Sequence, residues 1–203
     1  MNVASNPITI GVLCLQGAFI EHIHLLQTMN IDTFEIRQKK DLQIPMDGLI
    51  IPGGESTAMF RLLNHLDMKD TLTKMIQEGL PVFGTCAGLL LLARDIDNYQ
   101  ESFLKVMNIK AKKNAYGRQL SSFRAQGTFA SKENIEFVFI RAPYIVTASD
   151  DVDILATHEN KIVAARQHHM LVTAFHPELS GQTTIHDYFI DMIKASNRTQ
   201  KPS

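Results

Sequence analysis

The sequence has few cysteines, little net charge and no long apolar run. Its two cysteines, Cys14 and Cys86, are too few for a secreted disulfide framework, so we expect a reducing compartment. A net charge of −1 with neutral histidines gives no reason to expect nucleic acid or an anionic membrane as the main partner. No basic region precedes the short apolar run at the N-terminus, so neither a signal peptide nor a transmembrane helix is predicted. Together these features predict a cytoplasmic protein.

Length and composition suit one globular domain. The chain has 203 residues, of which 45% are hydrophobic and 20% are charged, and these are ordinary values for a globular protein. We find no internal repeat, no low-complexity segment and no domain boundary. The sequence therefore predicts a single domain over residues 1–203, with flexible tails at residues 1–6 and 197–203.

Strand and helix patterns alternate over the first hundred residues. Apolar or mixed runs of strand length are found at residues 8–15, 32–37, 47–54 and 80–84. Helical spacing lies between them, with Ser56 or Thr57 as a predicted N-cap, Gly79 as a C-cap signal, and a further helix predicted from Cys86 to residue 96. This alternation predicts an α/β fold with three layers, in which a mostly parallel, flavodoxin-like open sheet carries helices on both faces.

The second half of the chain has a different pattern. Residues 103–175 contain short strand-like runs with few helical periods, and we expect them to form an antiparallel extension and the far edge of the sheet. The chain closes with an amphipathic helix at residues 183–196, whose apolar side carries Ile185, Phe189, Ile190 and Ile193.

One cysteine lies between two glycines at a predicted strand-to-helix junction. Gly84, Cys86 and Gly88 have the spacing of a nucleophile elbow, in which the side chain at the apex of a sharp turn is exposed at the sheet edge. The following helix N-terminus favours a thiolate, and the backbone N–H groups beyond the turn can stabilise an oxyanion. The alternative is a small, buried structural cysteine.

A thiolate nucleophile needs a base and a group that orients the base. His176 ends an apolar run and is followed by Pro177 and Glu178. In an extended segment, residues i and i+2 point the same way, so Glu178 can fix the tautomer of the His176 imidazole. Ordinary structural positions on predicted helices or in a turn are expected for the other histidines considered, namely His22, His24, His65, His168 and His169.

Further polar candidates follow other predicted strands. Gly53, Gly54, Glu55 and Ser56 offer backbone donors at a strand-to-helix turn, which suits an oxyanion or a carboxylate. A phosphate cradle is a weaker interpretation, because the glycine spacing matches neither a dinucleotide-binding fingerprint nor a P-loop. Arg141 follows an apolar strand and is either a solvated strand end or a contact for a substrate carboxylate.

Six stretches carry a resemblance to a known family. They are residues 11–22, 48–59, 83–93, 114–123, 139–143 and 175–179, which include PGGEST, GTCAG, GRQ, IRAP and FHPEL. In this order, over about residues 8–194, they resemble the glutaminase subunits of two-component pyridoxal 5'-phosphate synthases, within the class I (triad) glutamine amidotransferases. The combination is specific to that family, whereas no single motif is.

The resemblance implies hydrolysis of L-glutamine to L-glutamate and ammonia. It makes Cys86 the nucleophile that forms a glutamyl thioester, His176 the base and Glu178 the group that orients it. It places the oxyanion hole at the backbone of Gly54 and Ala87, after a rearrangement of the loop at residues 52–54. The implied substrate contacts are Gly54, Glu55, Ser56, Lys113, Ile140 and Arg141, and the implied activation residues are Gln16, Gly17 and Gly53.

One position departs from the family pattern. The family commonly has an arginine where this chain has Lys113, which keeps the positive charge but loses the bidentate fork for a carboxylate. The substrate contact is therefore weaker here, or Arg118 or Lys112 contributes to it. Cys14 is interpreted as a core residue.

The resemblance also implies a partner. Ammonia would pass to a separate synthase subunit that makes pyridoxal 5'-phosphate, in a hetero-oligomer of synthase rings decorated by glutaminase subunits. No metal or organic cofactor is expected in this chain. Two alternatives stay open: a glutaminase or related cysteine hydrolase serving another synthase, and a non-catalytic regulatory homologue. The intact Cys86, His176 and Glu178 argue against the second.

Overall fold

A computed structural model of the chain describes residues 7–98, 103–113 and 122–199. The GRQ part of the fourth stretch, at residues 117–119, lies outside these residues, and so do both ends of the chain. The final helix extends to Thr199, so the first three residues of the expected C-terminal tail are helical. The flexibility of both tails stays a prediction.

The first half alternates strands and helices as predicted. Its elements are β1 (Thr9–Leu13), α1 (Phe19–Thr28), β2 (Asp32–Ile36), β3 (Gly48–Ile51), α2 (Ser56–His65), α3 (Lys69–Gln77), β4 (Val82–Thr85), α4 (Ala87–Leu92) and β5 (Ala93–Ile96). The second half contributes β6 (Met107–Lys112), β7 (Ser122–Phe129), β8 (Lys132–Ile140), β9 (Tyr144–Ala148), β10 (Asp153–His158), β11 (Lys161–Gln167), β12 (Met170–Thr173) and α5 (Thr184–Thr199).

The centre of the sheet is parallel, in the order β2-β1-β3-β4-β12. Every residue of β3, β4 and β12 is buried. Continuous burial of this kind requires cover on both faces, which explains why these strands are apolar runs and not alternating ones. The predicted mostly parallel sheet is confirmed at its centre.

Helices cover both faces of this sheet. On β4, Phe83 contacts His186 and Phe189 of α5, with each pair of ring centroids 5.6 Å apart. A Cβ added at the next residue, Gly84, would instead lie 2.7 Å from the backbone of Gly88 in α4. Since successive strand residues point to opposite faces, α4 and α5 lie on opposite sides of the sheet.

The second half forms the predicted antiparallel extension, with three differences. β12 lies in the middle of the sheet, between β4 and β11, and not at its edge. β9 pairs with β6 and β11, although its sequence was not singled out as a strand. The β7–β8 hairpin forms a separate two-stranded sheet. The positions of β12 and β9 depend on pairing between segments distant in sequence, which local patterns do not encode. The β7–β8 pairing is local, and the difference there is that the hairpin stays apart from the main sheet.

The helix predicted from Cys86 to residue 96 is too long. α4 ends at Leu92, and residues 93–96 form β5, which pairs in parallel with β6. Tertiary pairing therefore overrides helix propensity in this segment.

The β7–β8 hairpin packs against the end of β12. The rings of Phe137 and Phe175 stack with centroids 4.2 Å apart, and the His176 N–H donates to the Val138 carbonyl at 2.8 Å. The hairpin thus fixes the chain that follows β12. None of the described helices is both long and apolar enough to cross a membrane.

Candidate active site

The functional candidates gather at one edge of the sheet. Gln16, Gly53, Cys86 and His176 each follow the carboxyl end of one of the neighbouring parallel strands β1, β3, β4 and β12. The carboxyl ends of parallel strands lie together, and this edge is where open α/β sheets bind ligands.

Cys86 sits on a sharply turned backbone between β4 and α4. Its φ of 48° and ψ of −96° are unusual for a residue with a side chain. The Cys86 N–H donates to the Thr173 carbonyl at 2.8 Å, which ties the turn to β12. A Cβ at Gly88 would lie 2.2 Å from the Ile51 carbonyl oxygen, so only glycine lets α4 approach β3 this closely. This is the geometry of the predicted elbow, and the Cys86 Sγ lies 3.9 Å from the Ile140 carbonyl oxygen.

His176 and Glu178 are in contact, as predicted. The His176 Nδ1 lies 2.6 Å from the Glu178 Oε1, and both residues are buried. The local backbone differs from the expected extended segment, because Pro177–Leu179 form a short 3₁₀ turn that begins after His176. The turn brings the carboxylate back beneath the imidazole.

The environment of His176 favours its protonated form. Burial alone would lower the pKa of His176, but its interactions with Cys86 and Glu178 outweigh burial and raise the pKa to about 10. The imidazole is therefore positively charged at neutral pH. The pKa of Glu178 is raised by burial, an effect that the neighbouring His176 opposes.

A cavity of about 450 Å³ opens in front of Cys86 and His176. Its volume is in the range of small-molecule sites. The predicted residues in its lining are Gly53, Gly54, Glu55, Ser56, Cys86, Lys113, Ile140, Arg141 and His176, and the lining residues that were not predicted are Ala18, Glu21, Leu90, Pro143 and Leu179. Apart from His176, the lining has two acidic and two basic side chains, Glu21, Glu55, Lys113 and Arg141, and this mixture suits a zwitterionic ligand.

Four predicted site residues lie just outside the cavity lining. Glu178 is beneath His176, and Ala87 follows Cys86 at the start of α4. Gln16 and Gly17 instead brace the loop after β3: the Gln16 Nε2 donates to the Glu55 carbonyl at 3.0 Å, and the Ala18 N–H donates to the Gly53 carbonyl at 2.9 Å.

The loop after β3 packs closely against the His176 ring. A Cβ at Gly53 would lie 2.2 Å from the His176 Cε1, so glycine is needed for this close approach. Gly54, the next residue, is exposed toward the cavity. A Cβ at Gly54 would lie 2.2 Å from the Gln16 Nε2, so the two glycines allow close contacts with different neighbours.

Glu55, and not Ser56 or Thr57, is the N-cap of α2. Its carboxylate accepts hydrogen bonds from the Thr57 and Ala58 N–H groups at 3.1 and 2.7 Å. The Lys113 Nζ lies 3.2 Å from the Glu55 Oε1 and 3.0 Å from the Thr57 Oγ1. Partial burial raises the pKa of Glu55, but the two amides and Lys113 outweigh it and lower the pKa to about 2.

The remaining predicted substrate contacts, Ser56, Ile140 and Arg141, also line the cavity. The Ser56 Oγ is buried and has no hydrogen-bond partner among the described residues. Arg141 has a φ of 44°, in the left-handed region, and follows the partly exposed Ile140 at the end of β8. Lys112 instead pairs with Asp97, and Arg118 lies outside the described residues.

Besides the unpredicted lining residues, sequence reasoning missed a buried histidine next to Glu178. His22 of α1 was interpreted as an ordinary helical histidine, yet it is fully buried and its Nε2 lies 3.4 Å from the Glu178 Oε2. The available signal was its place on the apolar stripe of α1, at helical spacing from Phe19 and Leu26. A histidine in such a stripe faces the interior. Cys14 is buried, as expected, and both cysteines are free.

Known proteins resemble this chain over nearly its whole length. A protein from Methanocorpusculum labreanum, named pyridoxal 5'-phosphate synthase subunit PdxT, is 51% identical over 188 residues, which cover 93% of this chain and 99% of the relative. A protein of the same name from Haemophilus influenzae is 47% identical over 190 residues, with coverage of 92% and 99%.

A solved structure has the same fold as this chain. A crystal structure described as a glutamine amidotransferase superposes with a TM-score of 0.86 at 37% identity, and the match covers 91% of this chain and 98% of that one. The model of the SNO glutamine amidotransferase family matches residues 12–195. The chain therefore belongs to the SNO glutamine amidotransferase family.

Proposed function

We propose that this chain hydrolyses L-glutamine to L-glutamate and ammonia at Cys86, and that the ammonia serves the synthesis of pyridoxal 5'-phosphate. Family membership and the names of the relatives support the reaction and its purpose. The observation that carries the proposal is the contact between His176 and the buried Glu178, beside a strained Cys86 that opens onto a cavity.

The first half of the reaction forms a thioester. The Cys86 thiolate attacks the side-chain amide carbon of glutamine, and the carbonyl oxygen becomes an oxyanion. The backbone N–H groups of Gly54 and Ala87 are the proposed oxyanion hole, since an N–H at the start of a helix lacks an intrahelical acceptor. The imidazolium of His176 then gives its proton to the leaving nitrogen, so ammonia departs and a glutamyl thioester remains.

The second half releases glutamate. Neutral His176 takes a proton from water, whose oxygen attacks the thioester carbon. The carbon–sulfur bond breaks, glutamate leaves and the thiolate returns beside the imidazolium. Throughout the cycle, Glu178 keeps the Nδ1–H of His176 fixed, which holds Nε2 toward the sulfur.

The cavity lining supplies groups for the amino-acid end of the substrate. We assign substrate contacts to Gly54, Glu55, Ser56, Lys113, Ile140 and Arg141, all of which line the cavity. Lys113 and Arg141 offer positive charge to the α-carboxylate. The unpartnered Ser56 Oγ offers a hydrogen bond. Gln16 and Gly17 act indirectly, by bracing the loop that carries Gly53 and Gly54.

The ammonia acceptor is a separate pyridoxal 5'-phosphate synthase subunit. The relatives are themselves named as subunits of that synthase, which supports a hetero-oligomer. We extend the proposal to synthase rings decorated by glutaminase subunits, and to a cytoplasmic location. Two free cysteines suit a reducing compartment.

The direct test is glutamate release from L-glutamine by the purified chain, alone and with its synthase subunit. Release that rises on addition of the synthase supports both the chemistry and the coupling. Equal release in both samples would point to a different synthase or a free-standing glutaminase. A folded chain that binds the synthase but releases no glutamate would contradict the proposed reaction and favour a regulatory homologue.

A further inference from the structure

The inner oxygen of Glu178 lacks an aligned hydrogen-bond donor among the described residues. Its Oε1 contacts His176, whereas its Oε2 is buried and unsatisfied. A buried acceptor without a donor costs about 1–3 kcal/mol. A carboxylate that must orient a catalytic imidazole is poorly fixed if only one of its oxygens is held.

One side chain is placed to hold the second oxygen. The Nε2 of His22 lies 3.4 Å from the Glu178 Oε2 and 3.2 Å from the Thr85 Oγ1. Thr85 is the residue before Cys86, so His22 touches both the elbow strand and the orienting carboxylate. On its other side, the His22 Nδ1 lies 2.9 Å from the Nε2 of His186 in α5. His22 and His186 are both fully buried.

The hydrogen-bond pattern selects one tautomer of His22. Burial lowers the pKa of both His22 and His186, so each ring is neutral and carries one N–H. If the Nε2–H of His186 donates to the Nδ1 of His22, the Nε2–H of His22 faces Thr85 and Glu178. The reverse arrangement leaves the Nδ1–H of His186 buried without an acceptor and turns a lone pair of His22 toward the carboxylate. The arrangement in which His186 donates to His22 avoids both the buried N–H without an acceptor and the lone pair facing the carboxylate, so it is favoured.

We propose that His22 is a positioning residue for the reaction: its Nε2–H holds the inner oxygen of Glu178, and His186 fixes the tautomer that makes this possible. The chain of contacts then runs from His186 through His22 and Glu178 to His176. The part of this inference that concerns catalysis rests on the proposed function. The part that concerns hydrogen bonding does not.

The kinetic test uses the complete complex with the synthase subunit. His22→Leu removes the donor, so we expect kcat for glutamine to fall about 10–100-fold with KM unchanged, because small misplacements of catalytic groups have effects of this size. His22→Gln retains an amide donor and should recover to within about 10-fold of the wild type. His24→Leu, two residues along on the exposed side of α1, should leave both constants unchanged.

The spectroscopic test uses the isolated chain and needs no turnover. Imidazole nitrogen chemical shifts should show His22 protonated at Nε2 and not at Nδ1. The low-field Nδ1–H signal of His176, which reports its contact with Glu178, should move in His22→Leu and stay in place in His24→Leu. A loss of packing alone would lower the unfolding midpoint without moving this signal.

The outcomes separate the two proposals. A wild-type complex that releases no glutamate contradicts the proposed function, while the nitrogen shifts still decide the hydrogen bonding. His22 protonated at Nδ1, or a folded His22→Leu variant with full kcat and an unmoved His176 signal, would overturn the positioning role. If His22→Leu does not fold, the tautomer in the wild type and the kcat of His22→Gln give the answer.

Discussion

At the scale of single residues, the site depends on one strained cysteine and one charged histidine. Cys86 keeps its unusual backbone because its N–H is bonded to Thr173 and because Gly88 allows α4 to pack against Ile51. Burial opposes a charged His176, yet Cys86 and Glu178 raise its pKa to about 10. The pairing of a cysteine with an imidazolium therefore follows from the surroundings of both.

Replacing the base should stop the reaction without unfolding the chain. In His176→Asn, turnover of glutamine should fall by about 10²–10⁴-fold, which is the usual contribution of a positioned acid or base. Steady-state glutamate release measures this, with His65→Asn on the exposed end of α2 as the matched control. A His176→Asn variant with turnover close to that of the wild type would rule out the proposed role.

Lys113 should affect substrate binding more than turnover. Lys113→Ala removes a positive charge from the cavity and frees the Glu55 carboxylate, so KM for glutamine should rise about 10-fold, the worth of one hydrogen bond to a charged group. Lys113→Arg keeps the charge and should restore KM. Steady-state kinetics give both values. An unchanged KM in Lys113→Ala would remove this residue from the substrate site.

At the scale of elements, the start of α2 connects the substrate cavity to the stability of the fold. Glu55 both lines the cavity and caps α2, and Gln16 holds its backbone carbonyl. The sequence predicted the helix but assigned the cap to Ser56 or Thr57, since short hydroxyl side chains are the usual caps. Glu55 is also contacted by Lys113, which is distant in sequence, and this contact is not visible in a local pattern.

Removing this cap should weaken the fold measurably. Glu55→Ala should lower the free energy of unfolding by about 0.5–2 kcal/mol, as expected for loss of an N-cap side chain. Urea unfolding at neutral pH measures the loss. Glu78→Ala, at the C-terminal end of α3, should change it by less than about 0.5 kcal/mol. Equal effects of the two substitutions would contradict the capping role.

The cap should also fail in acid. The pKa of Glu55 is about 2 in the folded state and 4.5 in the unfolded chain. Its carboxylate therefore contributes fully to the free energy of unfolding well above pH 4.5, and this contribution is lost as the pH falls toward 2. The difference in unfolding free energy between the wild type and Glu55→Ala should therefore shrink over this interval. A constant difference would mean that the carboxylate charge does not matter to α2.

At the scale of the whole molecule, α1 and α5 meet through a buried histidine pair next to the sheet. Burial lowers the pKa of His186 from 6.5 to about 3 and lowers that of His22 as well. The unfolded chain takes up protons at these two histidines near pH 6.5, whereas the folded chain does not, so their contribution to stability falls as the pH drops from 6.5 toward 3. His176, whose pKa is raised in the folded chain, acts in the opposite direction.

This pair should make the fold sensitive to mild acid. Between pH 7 and pH 5, above the range in which ordinary carboxylates titrate, the thermal unfolding midpoint of the wild type should decrease relative to that of His186→Leu. His186→Leu should show a smaller decrease, because it removes one of the two groups, whereas His65→Leu should behave like the wild type. A midpoint in His186→Leu that falls as steeply as that of the wild type would contradict a neutral, buried His186.

The sequence predicts the parallel centre of the sheet, the sharp turn at Cys86 and the contact between His176 and Glu178, because each depends on local signals. Continuous apolar runs identify β1, β3 and β4, and the glycines around Cys86 identify the elbow. The positions of β12 and β9 depend on long-range pairing, which leaves no short motif. His22 escapes notice for a related reason: its partners Thr85, Glu178 and His186 lie in β4, in the 3₁₀ turn after His176 and in α5, all more than 60 residues away in sequence.

The central claim is that Cys86, and not Cys14, performs the chemistry on glutamine. Cys14 is buried beneath the sheet edge, and burial together with Glu35 raises its pKa to about 11, so it should stay an unreactive thiol. The most direct measurement treats the complex with a glutamine analogue that carries an electrophilic carbon in place of the amide, and locates the label by peptide mass spectrometry. We expect one label per chain, on Cys86, and slower labelling when glutamine is present. Labelling at Cys14, or glutamine hydrolysis that persists after Cys86 is fully labelled, would contradict the account.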